Sequence, residues 1–277
     1  MTNHIAASIE ISPKQAEESQ DLVGLFPAGT RVYITDVGTD SAETITAGAK
    51  RVAELGYRAV PHFASRRLTS KMALRERIAM LTGEAGVTDV LIIGGGLEKQ
   101  AGDFGSSMEV LETGFFDEFG VTHMGVAGHP EGSPDFNSDV AMQALQLKKA
   151  FAERTDAQMR VVTQFGFDAD GFINWAESLK GNDVDLPVHL GVAGPAKLTT
   201  LIKFAAMCGV GNSLQFLKKR ASAITTLAKG FDPDTIVEPI EAHALSADNS
   251  AIKAIHVFPF GGMKKSAEWL KTRGSWG

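Results

Sequence analysis

Residues 89–96 read Asp-Val-Leu-Ile-Ile-Gly-Gly-Gly, a run of apolar and β-branched side chains that ends in three glycines. A short apolar run bounded by glycine is typical of a strand that is buried on both faces, as in a parallel sheet. Seven other runs along the chain have the same character. The eight predicted strands are residues 7–11, 31–35, 58–62, 89–93, 123–127, 159–163, 187–191 and 254–258.

Between most of these runs, apolar residues recur at the three- and four-residue spacing of an amphipathic helix. The longest gap, residues 194–254 between the seventh and eighth runs, is predicted to hold two helices. The faces that we expect to be buried are Ile45, Ala49, Val52 and Leu55; Val140, Ala144, Leu147 and Phe151; Phe172, Trp175 and Leu179; and Leu198, Leu201, Ala205 and Cys208.

Alternation of strand and helix predicts parallel βαβ units, because a parallel strand pair needs a crossover of about a dozen residues. A doubly wound open sheet shares this alternation. Eight repeats within 277 residues favour closure into a single (β/α)₈ TIM barrel, an α/β fold that takes roughly 250 residues. No linker, low-complexity segment or charge block divides the chain, so we expect residues 1–277 to form one catalytic domain.

Composition argues against several kinds of partner. The net charge is −6 and no basic stripe is present, which predicts no nucleic-acid surface. Cys208 is the one cysteine, so it forms neither an intrachain disulfide nor a cysteine zinc site, and its apolar neighbours predict a buried thiol. Without a signal peptide or an apolar stretch of about 18 residues, we expect a cytoplasmic protein that does not enter a membrane. Barrels of this type often form homo-oligomers.

The first strand carries Glu10 between Ile9 and Ile11. In TIM barrels the catalytic groups follow the carboxyl ends of the strands. A carboxylate flanked by two isoleucines at such an end is partly desolvated, which favours its protonated form and suits a general acid. A solvated strand-end glutamate without a function is the alternative interpretation.

Two histidines fall at equivalent strand ends, His62 after Pro61 and His129 in the stretch Gly-His-Pro-Glu. One such histidine is more often a hydrogen-bonding core residue than a functional one, whereas two at equivalent positions indicate a shared site. With Glu10 they could form a two-histidine, one-carboxylate metal centre. The spacing does not require this arrangement, and we expect no metal.

The glycines Gly94, Gly95 and Gly96 leave the backbone after the fourth strand open to a flat ring or a phosphate, since no Cβ intervenes. A tight turn is the alternative role. The segment lacks both the Gly-Lys-Ser/Thr of a P-loop and the Gly-x-Gly-x-x-Gly of a Rossmann unit. The sixth strand ends at Gln164, whose amide offers a donor and an acceptor to a heterocycle or, equally, to its own strand.

Taken in order, these strand ends resemble the methylenetetrahydrofolate reductase family, from residue 9 to about residue 271. The stretches that carry the resemblance are Thr-Gln-Phe-Gly-Phe-Asp at 163–168, His-Pro-Glu-Gly-Ser-Pro at 129–134, Pro-His at 61–62, and Leu-Gly-Val-Ala-Gly-Pro at 190–195, followed by Leu198 and Lys-Phe-Ala at 203–205. The resemblance implies a barrel that binds FAD without a covalent bond and exchanges hydride with the one-carbon unit of a folate.

The resemblance also implies roles for individual residues. Glu10 matches the acid that opens the methylene bridge, and Gln164 matches the amide that hydrogen-bonds the pterin. Lys148 or Lys149 matches a cation near the flavin phosphates. The positions that match FAD contacts are Thr35, His62, Gly94, Gly95, Gly96, Ala127 and His129.

Three positions depart from the family's pattern. The first strand reads Ile-Glu-Ile-Ser-Pro-Lys where the family has Phe-Glu-Phe-Phe-Pro-Pro. Gly94–Gly96 replaces Arg-Gly-Asp, so the carboxylate near the flavin is missing, and Leu198 replaces the Phe that stacks on folate and on nicotinamide. Loss of an anionic group favours negative charge on a reduced flavin. The departures therefore predict oxidation of methyltetrahydrofolate in one-carbon catabolism and weaken the case for NAD(P)H, leaving the electron partner open.

Two other classes of function fit parts of the pattern. A barrel methyltransferase or another folate-binding barrel without redox chemistry would share the pterin pocket but lack flavin. A degenerate barrel without catalysis would explain the glycine triplet, although it would not explain why Glu10 and Gln164 are present.

Overall fold

The computed structural model describes residues 4–133, 136–221 and 230–276. Eight parallel strands follow one another in chain order, and β8 pairs with β1, which closes the barrel. Closure confirms the (β/α)₈ prediction and excludes the open sheet. The strands are β1 (Ala6–Ile11), β2 (Arg31–Ile34), β3 (Arg58–Ala64), β4 (Asp89–Ile93), β5 (His123–Gly128), β6 (Gln158–Gly166), β7 (Val188–Ala193) and β8 (Ile252–Phe258).

Helices connect the strands, and their bounds are as follows: α1 (Pro13–Glu18), α2 (Ala42–Glu54), α3 (Lys71–Ala85), α4 (Ser107–Leu111), α5 (Phe115–Glu118), α6 (Ser138–Ala152), α7 (Ala169–Gly181), α8 (Leu198–Met207), α9 (Gly211–Ala221), α10 (Asp234–Ser246) and α11 (Met263–Thr272). The described residues between β7 and β8 hold three helices, α8, α9 and α10, so the prediction of two is wrong. No helix in the described part of the chain is both long enough and apolar enough to cross a membrane.

By packing, the chain divides into two compact units, each described by itself. The first, called the Glu10 unit, comprises Glu10–Ala127 and Leu147–Val161. The second, called the Gln164 unit, comprises Met1–Ile9, Gly128–Gln146 and Val162–Gly277. The expectation of a single domain stays a prediction.

Two of the predicted buried faces are wrong in part. On α6, Val140 and Leu147 are 47% and 57% exposed, and the buried residues include Lys148 and Phe151. The helix is rotated so that a lysine, whose long alkyl stem packs well, faces inward in place of the apolar stripe. On α8, the helix ends at Met207, so Cys208 falls beyond the last turn and is exposed.

A buried ion network fixes strands of the Glu10 unit. Arg160 Nη2 donates to Asp89 Oδ1 at 2.7 Å, and Arg160 Nε donates to the Tyr33 hydroxyl at 3.0 Å. Arg31 Nε donates to the other carboxylate oxygen of Asp89 at 2.9 Å. Because Asp89 is fully buried, its charge needs these donors. The network lies near the amino ends of β4 and β6, the end of a barrel that serves stability.

In the Gln164 unit, Arg273 directly follows α11 and binds two carboxylates of α10. Its Nη2 and Nη1 donate to the two oxygens of Glu241 at 2.7 and 3.1 Å, and its Nε donates to Asp234 Oδ1 at 2.8 Å. Burial alone raises the pKa of Glu241, but hydrogen bonds from Arg273 and His4 outweigh it and leave that pKa below its ordinary value. The ion pair is therefore present above the ordinary carboxyl range and weakens as the pH falls through the lowered pKa.

We expect Arg273→Ala to lower the free energy of unfolding by roughly 3 kcal/mol, because the nearly fully buried Glu241 carboxylate loses its arginine and keeps only the hydrogen bonds from His4 and from the Ile5 N–H. Urea denaturation at pH 7 measures the change. Arg154→Ala is the matched control, since Arg154 pairs with Glu112 on the surface, where water screens the two charges, and its loss should lower the stability much less. Equal losses in the two variants would contradict the assignment.

Candidate active site

An acid and an imidazole lie side by side in the Glu10 unit. Glu10 Oε2 is 3.7 Å from His62 Nε2, and the two side chains are 18% and 7% exposed. This distance is too long for a direct hydrogen bond but close enough for strong electrostatic coupling when the imidazole is protonated. Glu10 is thus partly withdrawn from water, as its isoleucine neighbours predict, while a fraction of its side chain stays exposed.

The position of His62 is fixed by Arg77, a residue that sequence reasoning missed. Arg77 Nη2 donates to the His62 carbonyl and Nη1 donates to Asp36 Oδ2, both at 2.7 Å. The Arg77 guanidinium also lies 4.7 Å from the ring centroid of Phe63. One helix side chain thereby links the end of β2 to β3. The sequence does contain one sign of this contact. Arg77 shares the buried face of α3 with Leu74, Ile78 and Leu81, and an arginine on such a face needs a polar partner.

Backbone around the glycine triplet is open. A Cβ at Gly94 or Gly96 would meet no atom within 4 Å, whereas one at Gly95 would lie 3.0 Å from Ala64 Cβ. Gly95 and Gly96 have φ of +97° and +62°, so the turn itself favours glycine at both positions. The Gly94 carbonyl accepts from Arg66 N at 2.9 Å, which anchors the turn to the end of β3. The triplet therefore combines both proposed roles, a turn and open backbone.

Lys148 is a buried cation. Its side chain is 5% exposed, and burial lowers its pKa to about 8. Among the residues that the structure describes, no carboxylate forms an ion pair with it. The neighbouring Lys149 instead pairs with Glu153 at 2.6 Å. The sequence left the choice between the two lysines open. Lys148 is the one whose charge has no carboxylate partner among the described residues.

The other predicted residues of the Glu10 unit are positioned by backbone. Thr35 follows β2, is half-buried, and donates its N–H to the Ile11 carbonyl at 3.1 Å. Ala127 is half-buried within β5. Neither residue has a charged side chain, so each could contact a ligand only through its backbone groups and its shape.

In the Gln164 unit, Gln164 is half-buried on β6 and its Oε1 accepts from the Phe165 N–H at 3.1 Å. This bond supports the interpretation that the amide closes its own strand. The amide nitrogen donates no hydrogen bond within the described residues, which leaves it available to a ligand. His129 packs edge-on against Phe136 with centroids 5.0 Å apart. Leu198 is 2% exposed at the start of α8, so it presents no surface on which a ring could stack.

Glu131, quoted within the family stretch at 129–134, binds α9. Its carboxylate accepts from the Ser213 N–H at 2.9 Å and from the Ser213 hydroxyl. A Cβ at Gly166 would lie 2.7 Å from Glu131 Oε1, so the carboxylate also packs against the end of β6. Glu131 is therefore a positioning residue. Pro134 lies outside the described residues.

The predicted residues thus fall into two groups. Glu10, Thr35, His62, Gly94, Gly95, Gly96, Ala127 and Lys148 belong to the Glu10 unit; His129, Gln164 and Leu198 belong to the Gln164 unit. Across residues 4–133, 136–221 and 230–276, no three His, Cys, Asp or Glu side chains are placed to hold a metal ion. A cavity of about 570 Å³ among His4, α10 and α11 is lined by none of the predicted residues.

Fold and side chains together define a (β/α)₈-barrel protein with a partly buried carboxylate–imidazole pair on β1 and β3. No protein-family model matches the chain. Curated proteins do match, and they include methylenetetrahydrofolate reductase 1 of Schizosaccharomyces pombe (34% identical over 101 residues), methylenetetrahydrofolate reductase 2 of Saccharomyces cerevisiae (30% over 86), and 5,10-methylenetetrahydrofolate reductase of Pectobacterium carotovorum (26% over 202).

These matches confirm that the chain resembles methylenetetrahydrofolate reductases. They cover 36%, 31% and 70% of this chain, and 15%, 13% and 60% of the respective relatives. Among solved structures, a GH18 chitinase from Pseudoalteromonas aurantia aligns over 97% of this chain and 98% of its own, with a TM-score of 0.50 and 10% identity. At that identity the likeness shows the fold alone.

Proposed function

We propose that the protein is an FAD-dependent oxidoreductase that interconverts 5,10-methylenetetrahydrofolate and 5-methyltetrahydrofolate. The observation that carries the proposal is the partly buried Glu10 carboxylate held 3.7 Å from His62, on β1 of a barrel whose sequence resembles reductases of that name. A carboxyl group that is partly withdrawn from water but still partly exposed suits proton transfer to a substrate nitrogen.

The residues fit the cofactor that the resemblance implies. FAD carries phosphates, and Lys148 is a buried ammonium without a carboxylate partner in the described chain. A flavin is flat, and Gly94 and Gly96 leave backbone exposed with no atom where a Cβ would stand. The residues that would hold FAD are Thr35, His62, Gly94, Gly95, Gly96, Ala127, His129 and Lys148. When bound, FAD would supply hydride exchange at the one-carbon unit.

The chain's own side chains would handle protons and orientation. The Glu10 carboxyl would donate its proton to a folate nitrogen as the methylene bridge opens, and would accept it in the reverse direction. His62, anchored through Arg77, would hold that carboxyl in place. The unused amide nitrogen of Gln164 would donate to the edge of the pterin.

We further propose that the favoured direction is oxidation of the methyl form. The family carboxylate at the end of β4 is replaced by Gly96, around which no other charge takes its place within 4 Å of the Cβ position. Without an adjacent anion, negative charge on a reduced flavin meets less repulsion, so the flavin is easier to reduce. Such a flavin accepts hydride more readily than it gives hydride up.

We expect Gly96→Asp to lower the reduction potential of bound flavin. A single charge in a partly buried site contributes energies on the order of 1–2 kcal/mol, and about 1.4 kcal/mol corresponds to roughly 30 mV for a two-electron couple. Gly96→Asn is the matched control, since Asn has the same size and tolerates φ of +62° without adding charge. Spectroelectrochemical titration measures both variants; an equal shift in the two would contradict the electrostatic explanation.

Incubation of the protein and FAD with 5-methyltetrahydrofolate and a quinone dye tests the function directly. The proposal predicts dye reduction matched one-to-one by loss of the methyl form. A protein that binds methyltetrahydrofolate but neither takes up FAD nor reduces the dye would instead be a non-redox folate barrel.

A further inference from the structure

An aromatic ladder lies in the Gln164 unit where β8 ends. The rings of Phe204 and Phe260 stack with centroids 4.3 Å apart and planes 20° from parallel. Phe258 and Phe260 are also near parallel, at 22° and 5.8 Å. Phe204 comes from α8, whereas Phe258 is the last residue of β8 and Phe260 follows it.

All three rings are only partly buried. The fully buried Phe165 packs against two rings of the ladder, with its centroid 4.7 Å from that of Phe260 and 5.4 Å from that of Phe258. Phe165 is also the chain neighbour of Gln164. Three near-parallel rings that keep contact with solvent beside a strand end form a surface on which a further flat ring can stack.

Resting on the proposed function, we propose that this ladder binds an aromatic ring of the folate, and that Phe260 is its central specificity-determining residue. The position expected from the sequence, Leu198, is buried and carries no ring. The ladder supplies the stacking surface from other positions, Phe204 later in α8 and Phe258 and Phe260 at the end of β8. The described ladder carries no charged group, so it suits the uncharged ring systems of folate better than its glutamate tail.

Folic acid is the probe, because it carries the pterin and p-aminobenzoyl rings and does not reduce flavin. We expect Phe260→Leu to raise the dissociation constant of folic acid for the flavin-loaded protein roughly 3- to 10-fold, the usual contribution of one aromatic pair. Phe260→Tyr, which keeps the ring, should stay within about 2-fold. Phe119→Leu is the matched control, a half-buried phenylalanine of the Glu10 unit.

Equilibrium dialysis measures the constants, and pterin-6-carboxylate and p-aminobenzoylglutamate show which ring is held. A dissociation constant for Phe260→Leu equal to that of the wild type would overturn the ladder proposal alone. Wild-type protein that takes up FAD but binds no folic acid would overturn the proposed function with it. If Phe260→Leu unfolds, Phe204→Leu is expected to weaken binding in the same range.

Discussion

Replacing Glu10 by Gln is expected to slow the reduction of 5,10-methylenetetrahydrofolate by roughly 10²- to 10⁴-fold, the usual contribution of a positioned general acid or base. The amide keeps the size and hydrogen-bonding capacity of the side chain but cannot give or take the proton. Since Glu10 is partly buried 3.7 Å from His62, a water molecule from bulk replaces it poorly. Anaerobic stopped-flow measurement of the oxidation of reduced flavin by 5,10-methylenetetrahydrofolate isolates the affected step, because the bridge must take a proton and open before hydride is exchanged.

Binding of flavin should survive this substitution, which separates loss of chemistry from loss of fold. Glu17→Gln is the control, because Glu17 is an exposed glutamate on α1 with no part in the proposed site. If the reduced flavin of Glu10→Gln were oxidised by 5,10-methylenetetrahydrofolate as fast as that of the wild type, Glu10 would be a structural residue and the proton would have to come from elsewhere.

Replacing Lys148 by Met is expected to stabilise the flavin-free protein at pH 7 and to weaken flavin binding. Burial lowers the Lys148 pKa from an ordinary 10.5 to about 8, which corresponds to roughly 3 kcal/mol at about 1.4 kcal/mol per pH unit. Below pH 8 both the folded and the unfolded chain carry the proton, so the whole free-energy penalty acts against folding. It declines from pH 8 to 10.5, where only the unfolded chain stays protonated, so wild-type stability rises across that window.

Urea denaturation between pH 7 and 10.5 tests the stability half of this prediction: Lys148→Met should be more stable at pH 7 and lack the rise seen in the wild type. Loss of a charge-assisted hydrogen bond to a phosphate should weaken FAD binding roughly 10- to 100-fold. Lys149→Met should change both quantities little, because Lys149 is paired with Glu153. A Lys148→Met variant with wild-type stability and FAD affinity would contradict the anion-site assignment.

The strands are the elements that the sequence predicts best. Buried parallel strands are short, apolar and punctuated by glycine or polar residues, so the eight runs stand out, and the barrel follows from their number. β4, Asp89–Ile93, has the bounds that the pattern predicts. Polar residues at strand ends could likewise be proposed as site residues, because barrel topology fixes which end carries chemistry.

Side-chain contacts that depend on tertiary packing could not be predicted from the sequence. The rotation of α6 that buries Lys148 and exposes Leu147 runs against the hydrophobic pattern, since it is set by what the helix packs on. Arg77 joins two strands from a helix 15 residues after His62, a distance over which spacing carries no information. The aromatic ladder unites residues from α8 and β8 that are more than 50 positions apart in the chain.

The visible absorption spectrum of the purified protein, followed by anaerobic addition of 5-methyltetrahydrofolate, tests the central claim most directly. The account predicts a flavin spectrum, present on purification or after addition of FAD, that bleaches as the folate donates hydride. A colourless protein that takes up no FAD, or a bound flavin that stays oxidised with excess methyltetrahydrofolate, would contradict it.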